Sequence, residues 1–162
     1  MSTKPQQSNV EYEEFLRGVD LMYVALRKCA AAVDEKRLRK AFAGEQGPVR
    51  TLHDDYKLTD FGPAYFEGTG VFSIRLLETE KTDSAVVVDC EFVAHLHAVE
   101  PIHKPFVERF VKSELQLILI PFARQFVSSI TASMHIPPLT LPLSRRFHAM
   151  DKRINRTAKK KD

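Results

Sequence analysis

The chain has 162 residues, of which 44% are hydrophobic and 28% charged, the size and composition of one globular domain. The net charge is +3, but residues 144–162 alone carry +6, so the other 143 residues carry −3. This mildly acidic body with a basic tail is unlike a uniformly basic nucleic-acid-binding protein. No apolar run approaches the ~20 residues that span a bilayer.

The N-terminal region and the two cysteines indicate the compartment. Residues 1–14 are polar and lack the charged-then-apolar pattern of a signal segment. Cys29 and Cys90 have no paired spacing, which favours free thiols in a reducing environment over a disulfide. We therefore expect a cytoplasmic protein without membrane insertion.

The first third of the chain gives weak structural signals. Residues 1–10 are polar, and we expect them to be disordered ahead of one domain that spans residues 11–158. From Phe15 to Val33 the apolar spacing fits both a helix and a strand, and the alanine run favours a helix. Residues 34–60 are charged and glycine-punctuated, which predicts a long connection with at most one short strand near Val49–Lys57.

A long antiparallel hairpin is the clearest prediction. Residues 65–78 and 85–99 are rich in β-branched and aromatic side chains with alternating polarity, and a short polar turn separates them. Gly68 and Gly70 in the first arm indicate either a bulge or a close backbone approach.

From Lys104 to His135 the apolar spacing changes to three- or four-residue steps and predicts a long helix. Pro121 removes the amide that would bond to the Leu117 carbonyl, so the helix should kink or break there, and Pro137 and Pro138 should end it. Its apolar residues cover so much of the circumference that two sides must be buried, which predicts an oligomer. The proposed oligomer interface consists of Phe110, Leu117, Ile120 and Val127.

Histidines offer the one candidate for catalysis. His95 and His97 share a strand face, and Glu100 and His103 follow, so a transition-metal site is conceivable. The alternative is a pair of solvent-facing strand histidines, which we favour, and we expect no cofactor. Cys90 lies between two acidic residues that disfavour a thiolate, so a cysteine nucleophile is not indicated.

The basic tail and the aromatic residues have open interpretations. Residues 144–158 have the pattern of a short basic helix, followed by a frayed tail at 159–162. The tail could contact nucleic acid, but it has one aromatic residue, Phe147, and no stacking platform, so nucleic-acid binding is not favoured. Several aromatic residues lie outside the predicted core and could line an apolar groove.

The second half of the predicted helix resembles a known family. The run Leu119-Ile120-Pro121-Phe122-Ala123-Arg124 is followed by Val127 and then by Ile136-Pro137-Pro138-Leu139-Thr140-Leu141. An apolar-Pro-aromatic-x-Arg element followed by an apolar-Pro-x-Leu-x-Leu element is similar to the signature of SecB-type chaperones. About 25 residues carry the resemblance, and elsewhere only the order of elements agrees. That order favours a strand over residues 15–27.

The resemblance implies an α+β subunit with a four-stranded antiparallel sheet and a long crossover connection. A long kinked helix and a short C-terminal helix would back the sheet, and subunits would assemble as a dimer of dimers. Such chaperones hold unfolded polypeptides in apolar grooves without nucleotide. Here the groove would consist of Phe42, Leu52, Tyr56, Leu58, Phe61, Tyr65 and Phe147.

Two branches of the family would give different partners. The export branch passes precursor proteins to the translocase motor through a markedly acidic surface, which a body charge of −3 does not supply. The other branch protects an aggregation-prone antitoxin, and the double proline of Ile136-Pro137-Pro138 looks more like that branch. We expect a non-enzymatic chaperone and favour the antitoxin branch slightly.

Overall fold

The computed structural model describes residues 4–44, 47–79, 83–99, 102–139 and 141. Those residues form four helices and four strands, in an α+β arrangement. The elements in chain order are α1 (Lys4–Arg17), β1 (Val19–Val33), α2 (Glu35–Ala43), β2 (Val49–Phe61), β3 (Tyr65–Leu77), β4 (Ser84–Ala98), α3 (Lys104–Ser113) and α4 (Leu115–Ser133).

The strands form one antiparallel sheet in the order β1-β4-β3-β2, which confirms the predicted α+β class and four-stranded sheet. The β3–β4 hairpin is the pair predicted from residues 65–78 and 85–99. Consecutive strands β1 and β2 lie at opposite edges, so the chain between them crosses the sheet. The long crossover connection is therefore real, although its predicted conformation is wrong.

The crossover carries regular structure. The Asp34 side chain caps α2 by accepting a hydrogen bond from the Arg37 amide at 3.0 Å. On α2, Ala41 is buried and Leu38 packs against the core. The segment predicted as a short strand near Val49–Lys57 continues to Phe61, because antiparallel pairing with β3 supplies partners along its whole length.

The N-terminal region is also more ordered than predicted. Residues 4–10, expected to be disordered, form the first turns of α1. Tyr12 is buried beside Phe106, and Phe15 packs against the rings of Phe66 and Phe110. These contacts stabilise a helix whose polar sequence gives no periodic signal, and β1 begins only at Val19.

The predicted long helix is interrupted at Glu114 rather than at Pro121. The Glu114 amide ends α3 by bonding to the Phe110 carbonyl at 2.7 Å, and α4 then runs through Pro121 without a break. The interruption changes the direction of the chain, so that buried Leu115 and Leu119 lie over β3. The predicted short helix at residues 144–158 lies outside the described residues.

Two glycines make this approach possible. A Cβ atom on Gly68 would lie 2.5 Å from Leu115 Cδ2, and one on Gly70 would lie 2.7 Å from Leu119 Cδ1. The extra residue of a bulge lies on the partner strand instead, since the register of β2 shifts between Leu58, which opposes Gly68, and Asp60. Gly68 and Gly70 therefore serve the close approach of helix to sheet.

The core lies between the sheet and helices α3 and α4. Every second residue of β4, from Val86 to Ala98, is buried on the face that these helices cover. By length and composition α4 could also cross a membrane. Its buried stripe of Leu115, Leu119, Ala123 and Val127 nevertheless belongs to the core, and core helices commonly satisfy the same test.

The helix-to-sheet contact predicts a stability effect. In Gly68→Ala the added methyl group must displace Leu115 inside a filled core, which we expect to destabilise the fold by about 1–3 kcal/mol. Gly44→Ala is the matched control, because the nearest atom beyond its chain neighbours, the Ala41 carbonyl oxygen, is 3.9 Å from the new Cβ and the φ of Gly44 is −71°. Urea unfolding of the parent protein and of the two variants measures the change in the free energy of unfolding. Equal midpoints for Gly68→Ala and Gly44→Ala would contradict the proposed close packing.

Candidate functional site

An apolar row runs along the edge strand β2. It consists of Leu52, Tyr56, Leu58 and Phe61, four of the seven residues predicted for the groove. Their partners in β3 are Ile74, Gly70, Gly68 and Phe66, which face the helices. Opposed residues of an antiparallel pair share a face, so the apolar row borders the core on the helix side.

A bulge in β2 keeps Phe61 in the apolar row. Leu58 and Phe61 are three residues apart, a spacing that would place them on opposite faces of a regular strand. The extra residue at Thr59 restores the face, and its hydroxyl donates to the Glu67 carbonyl at 3.1 Å. The bulge therefore extends the row to the end of the strand.

The apolar row is only half covered by the chain itself. Leu52, Tyr56 and Leu58 are half-buried, and 38% of Phe61 is exposed. From Leu52 to Phe61 the row extends over roughly 30 Å, given the rise per residue of a strand. Buried Asp54 lies between Leu52 and Tyr56 and places one carboxylate within the row.

The remaining predicted groove residues lie elsewhere. Tyr65 is on the other face of the sheet, where its ring stacks on His95 at 5.3 Å and its hydroxyl donates to Asp60 at 3.1 Å. This hydrogen bond raises the pKa of Tyr65. Tyr65 therefore lies on the opposite face from the apolar row. Phe42 lies on α2 and is 45% exposed, and Phe147 is outside the described residues.

The face that carries Tyr65 is polar and ion-paired. Arg75 donates to both carboxylate oxygens of Asp89, the nearer at 2.8 Å, and the Ser73 hydroxyl donates to the same group at 2.6 Å. The bond from Arg75 lowers the pKa of Asp89. Glu67 Oε1 lies 3.1 Å from His95 Nδ1, within hydrogen-bond distance. We call this the ion-paired face, and it is a poor surface for an apolar ligand.

The histidines do not assemble a metal site in the part of the chain that the structure describes. His95 is held between the rings of Tyr23 and Tyr65, at 5.1 and 5.3 Å, while His103 occupies the N-cap position of α3 without a side-chain capping bond. His97 is exposed on the same strand, and Glu100 is outside the described ranges. Within those ranges no three side chains of the metal-binding types come together. The metal-dependent enzyme is therefore not favoured.

The predicted oligomer interface divides between two sides of the helices. Phe110 and Val127 are buried in the core of the single chain, so they cannot contact another copy in this arrangement. Ile120 is only 8% exposed, whereas Leu117 is 57% exposed. Phe122 adds to the exposed side. On the exposed side of α4 lies an open cavity of about 560 Å³. It is lined by Leu117, Ile120, Pro121, Arg124, Gln125, Ser128 and Ser129.

Comparisons with known proteins decide the fold. The SecB-like chaperone of Mycobacterium tuberculosis, in complex with a ChAD peptide from the HigA1 antitoxin, superposes with a TM-score of 0.66. The match covers 80% of this chain and 93% of the other at 19% identity. The fold is SecB-like. A Streptococcus agalactiae protein of unknown function matches at a TM-score of 0.45 and 10% identity, over 76% of this chain and 96% of that chain. No protein-family model and no curated protein matches the sequence.

The motif that resembles SecB-type chaperones has a structural role in this SecB-like fold. Its arginine, Arg124, donates from Nη2 to the Leu141 carbonyl at 2.6 Å. Thr131 accepts a hydrogen bond from the Leu139 amide at 3.0 Å. The two motif elements therefore contact each other and fasten the segment after α4 to that helix.

A tight reversal at the end of α4 makes this contact possible. His135 has a φ of 58°, and the amides of His135 and Ile136 bond to the carbonyls of Ala132 and Thr131. This is the hydrogen-bond pattern of a Schellman motif, with histidine where glycine is usual. The reversal allows Ile136, Leu139 and Leu141 to enter the core. The sequence contains the motif but does not reveal this role, because the hydrogen bond joins residues 17 apart.

Loss of the arginine should loosen this segment. Arg124→Ala removes the charged donor and leaves the Leu141 carbonyl without this hydrogen bond. We expect the loss to lower the free energy of unfolding by about 1.5–3 kcal/mol. The exposed neighbour Gln125→Ala serves as the control. Urea unfolding, with amide exchange over residues 136–141, measures both effects. Unchanged stability and exchange in Arg124→Ala would show that the bond does not hold the segment.

Proposed function

We propose that this protein is an ATP-independent chaperone that holds unfolded polypeptides along the edge strand β2. The observation that carries the proposal is the half-covered apolar row beside a strand edge to which no other described residue pairs. The SecB-like chaperone with the same fold was solved with a peptide from an antitoxin, which supports a polypeptide ligand.

The physical basis is addition of an extended segment at a sheet edge. The outer amides and carbonyls of β2 can pair with any polypeptide backbone, so affinity does not require one sequence. Alternate side chains of the bound segment would then meet the apolar row, since side chains along a strand repeat every two residues. This combination fits clients that are unfolded and apolar.

The two sides of the sheet provide a matched pair of variants. Phe61→Ser removes exposed apolar surface from the row and should weaken binding of a labelled, permanently unfolded protein about three- to tenfold, the effect of losing part of a buried phenylalanine. Tyr65→Ser removes an aromatic side chain from the ion-paired face and should leave binding unchanged. Fluorescence anisotropy measures both affinities, with gel filtration to confirm that each variant keeps its assembly.

Equal affinities for Phe61→Ser and the parent protein would contradict the position of the site. A loss confined to Tyr65→Ser would place the client on the ion-paired face instead.

The favoured client is an antitoxin segment, with precursor proteins as the alternative. The body charge of −3 is small for contact with a translocase motor through an acidic surface. Both functions would operate in the cytoplasm. Direct competition between an antitoxin-derived peptide and an unfolded precursor for the same protein distinguishes them, because the preferred client displaces the other at lower concentration.

We propose further that copies of the chain associate through the outer side of α4. Leu117→Glu places a charge on this exposed apolar surface and should lower the molar mass measured by light scattering. Val10→Glu is the matched control, since Val10 on α1 is also 57% exposed, equal to Leu117. If both variants keep the parent mass, α4 does not form the interface.

A further inference from the structure

The fold brings the two cysteines directly opposite each other. Cys29 of β1 pairs with Cys90 of β4 in the antiparallel register, although 60 residues of sequence separate them. Opposed residues on antiparallel strands have Cα atoms about 4.5–5.5 Å apart. Disulfides span Cα distances of about 4.4–6.8 Å, so the backbone already lies within bonding range.

An irregularity in β1 creates this juxtaposition. The register shifts between Leu26 and Lys28, so one extra residue, Arg27, lies in the edge strand. Without that shift Cys29 would oppose Asp89, whose side chain faces the other side of the sheet. The bulge thus moves Cys29 onto the same face as Cys90, where both thiols can meet.

The two thiols differ in access and in reactivity. Cys29 is exposed on the edge strand, and Cys90 is buried in the core. Burial, with the adjacent Asp89 carboxylate adding to it, raises the pKa of Cys90 to about 12. An oxidant in solution therefore meets Cys29 first, and Cys90 remains a protonated thiol within the same strand pair.

We propose that Cys29 and Cys90 form an oxidation site, at which a peroxide converts the opposed thiols into a disulfide that fastens edge strand β1 to β4. The inference is independent of the proposed chaperone function. It also revises the expectation from spacing alone, which treated both cysteines as unrelated free thiols.

The reaction takes place in two balanced steps. The Cys29 thiolate attacks one oxygen of hydrogen peroxide, the O–O bond breaks, hydroxide leaves, and Cys29 becomes a sulfenic acid. The Cys90 thiol then loses its proton, its thiolate Sγ attacks Cys29 Sγ, the S–O bond breaks, and the oxygen takes up a proton and leaves as water. Two thiols lose two electrons, and the peroxide gains them. Because the second step needs the Cys90 thiolate, it should become faster as the pH rises.

The test uses the full-length reduced protein with hydrogen peroxide, followed by denaturation, alkylation and mass spectrometry. The expected product is a monomeric chain about 2 Da lighter, in which neither cysteine is alkylated and one cross-linked peptide contains both. Its unfolding temperature should exceed that of the reduced protein, since a cross-link constrains the unfolded chain. Dithiothreitol should reverse both changes.

Cys29→Ser is the matched variant, because it replaces the exposed partner and leaves the core intact. In this variant Cys90 should still react fully with the alkylating reagent after peroxide treatment, and peroxide should not change the unfolding temperature. Three results in the parent protein would each overturn the proposal. They are alkylation of both cysteines after peroxide, sulfinic acid at Cys29 with Cys90 still a thiol, and a disulfide formed only between two chains through Cys29.

Discussion

The packing of Leu115 and Leu119 over Gly68 and Gly70 is the constraint on which the other features depend. Both leucines are completely buried, and neither could approach β3 so closely over a residue with a Cβ atom. This contact accounts for the interruption at Glu114, because α3 and α4 must meet the sheet along different lines. It also places the start of α4 beside Leu58, which pairs with Gly68.

Besides the exposed apolar side chains of edge strand β1, the described residues leave two apolar surfaces partly uncovered. One is the apolar row on β2, at the margin of the core, and the other is the outer side of α4 around Leu117 and Phe122. The ion pair of Asp89 with Arg75 and the hydrogen bond between Glu67 and His95 lie on the other face of the sheet and keep it polar. A chain with this distribution has an apolar strand edge, where we propose that an extended ligand binds, and a separate apolar helix surface, where we propose that another copy binds.

The sequence predicted the strongly patterned parts of this structure and missed the parts that long-range contacts decide. Alternating β-branched residues indicated the β3–β4 hairpin without ambiguity. By contrast, α2 is short and charged, and α1 has a polar sequence that is ordered by Tyr12 and Phe15 against distant aromatic rings. Four of the six predicted groove residues in the described chain share one face. The position of Tyr65 on the opposite face could not be predicted, because the bulge at Thr59 and the following turn cannot be deduced from spacing.

The central claim is that an unfolded chain binds along the outer edge of β2. Hydrogen exchange with mass spectrometry tests it most directly, by comparing the protein alone with the protein saturated by a reduced, carboxymethylated protein that cannot fold. The account predicts slower exchange of amides in residues 49–61, because the bound segment would pair with the outer edge of that strand. Unchanged exchange over residues 49–61, with protection elsewhere in the chain, would contradict it.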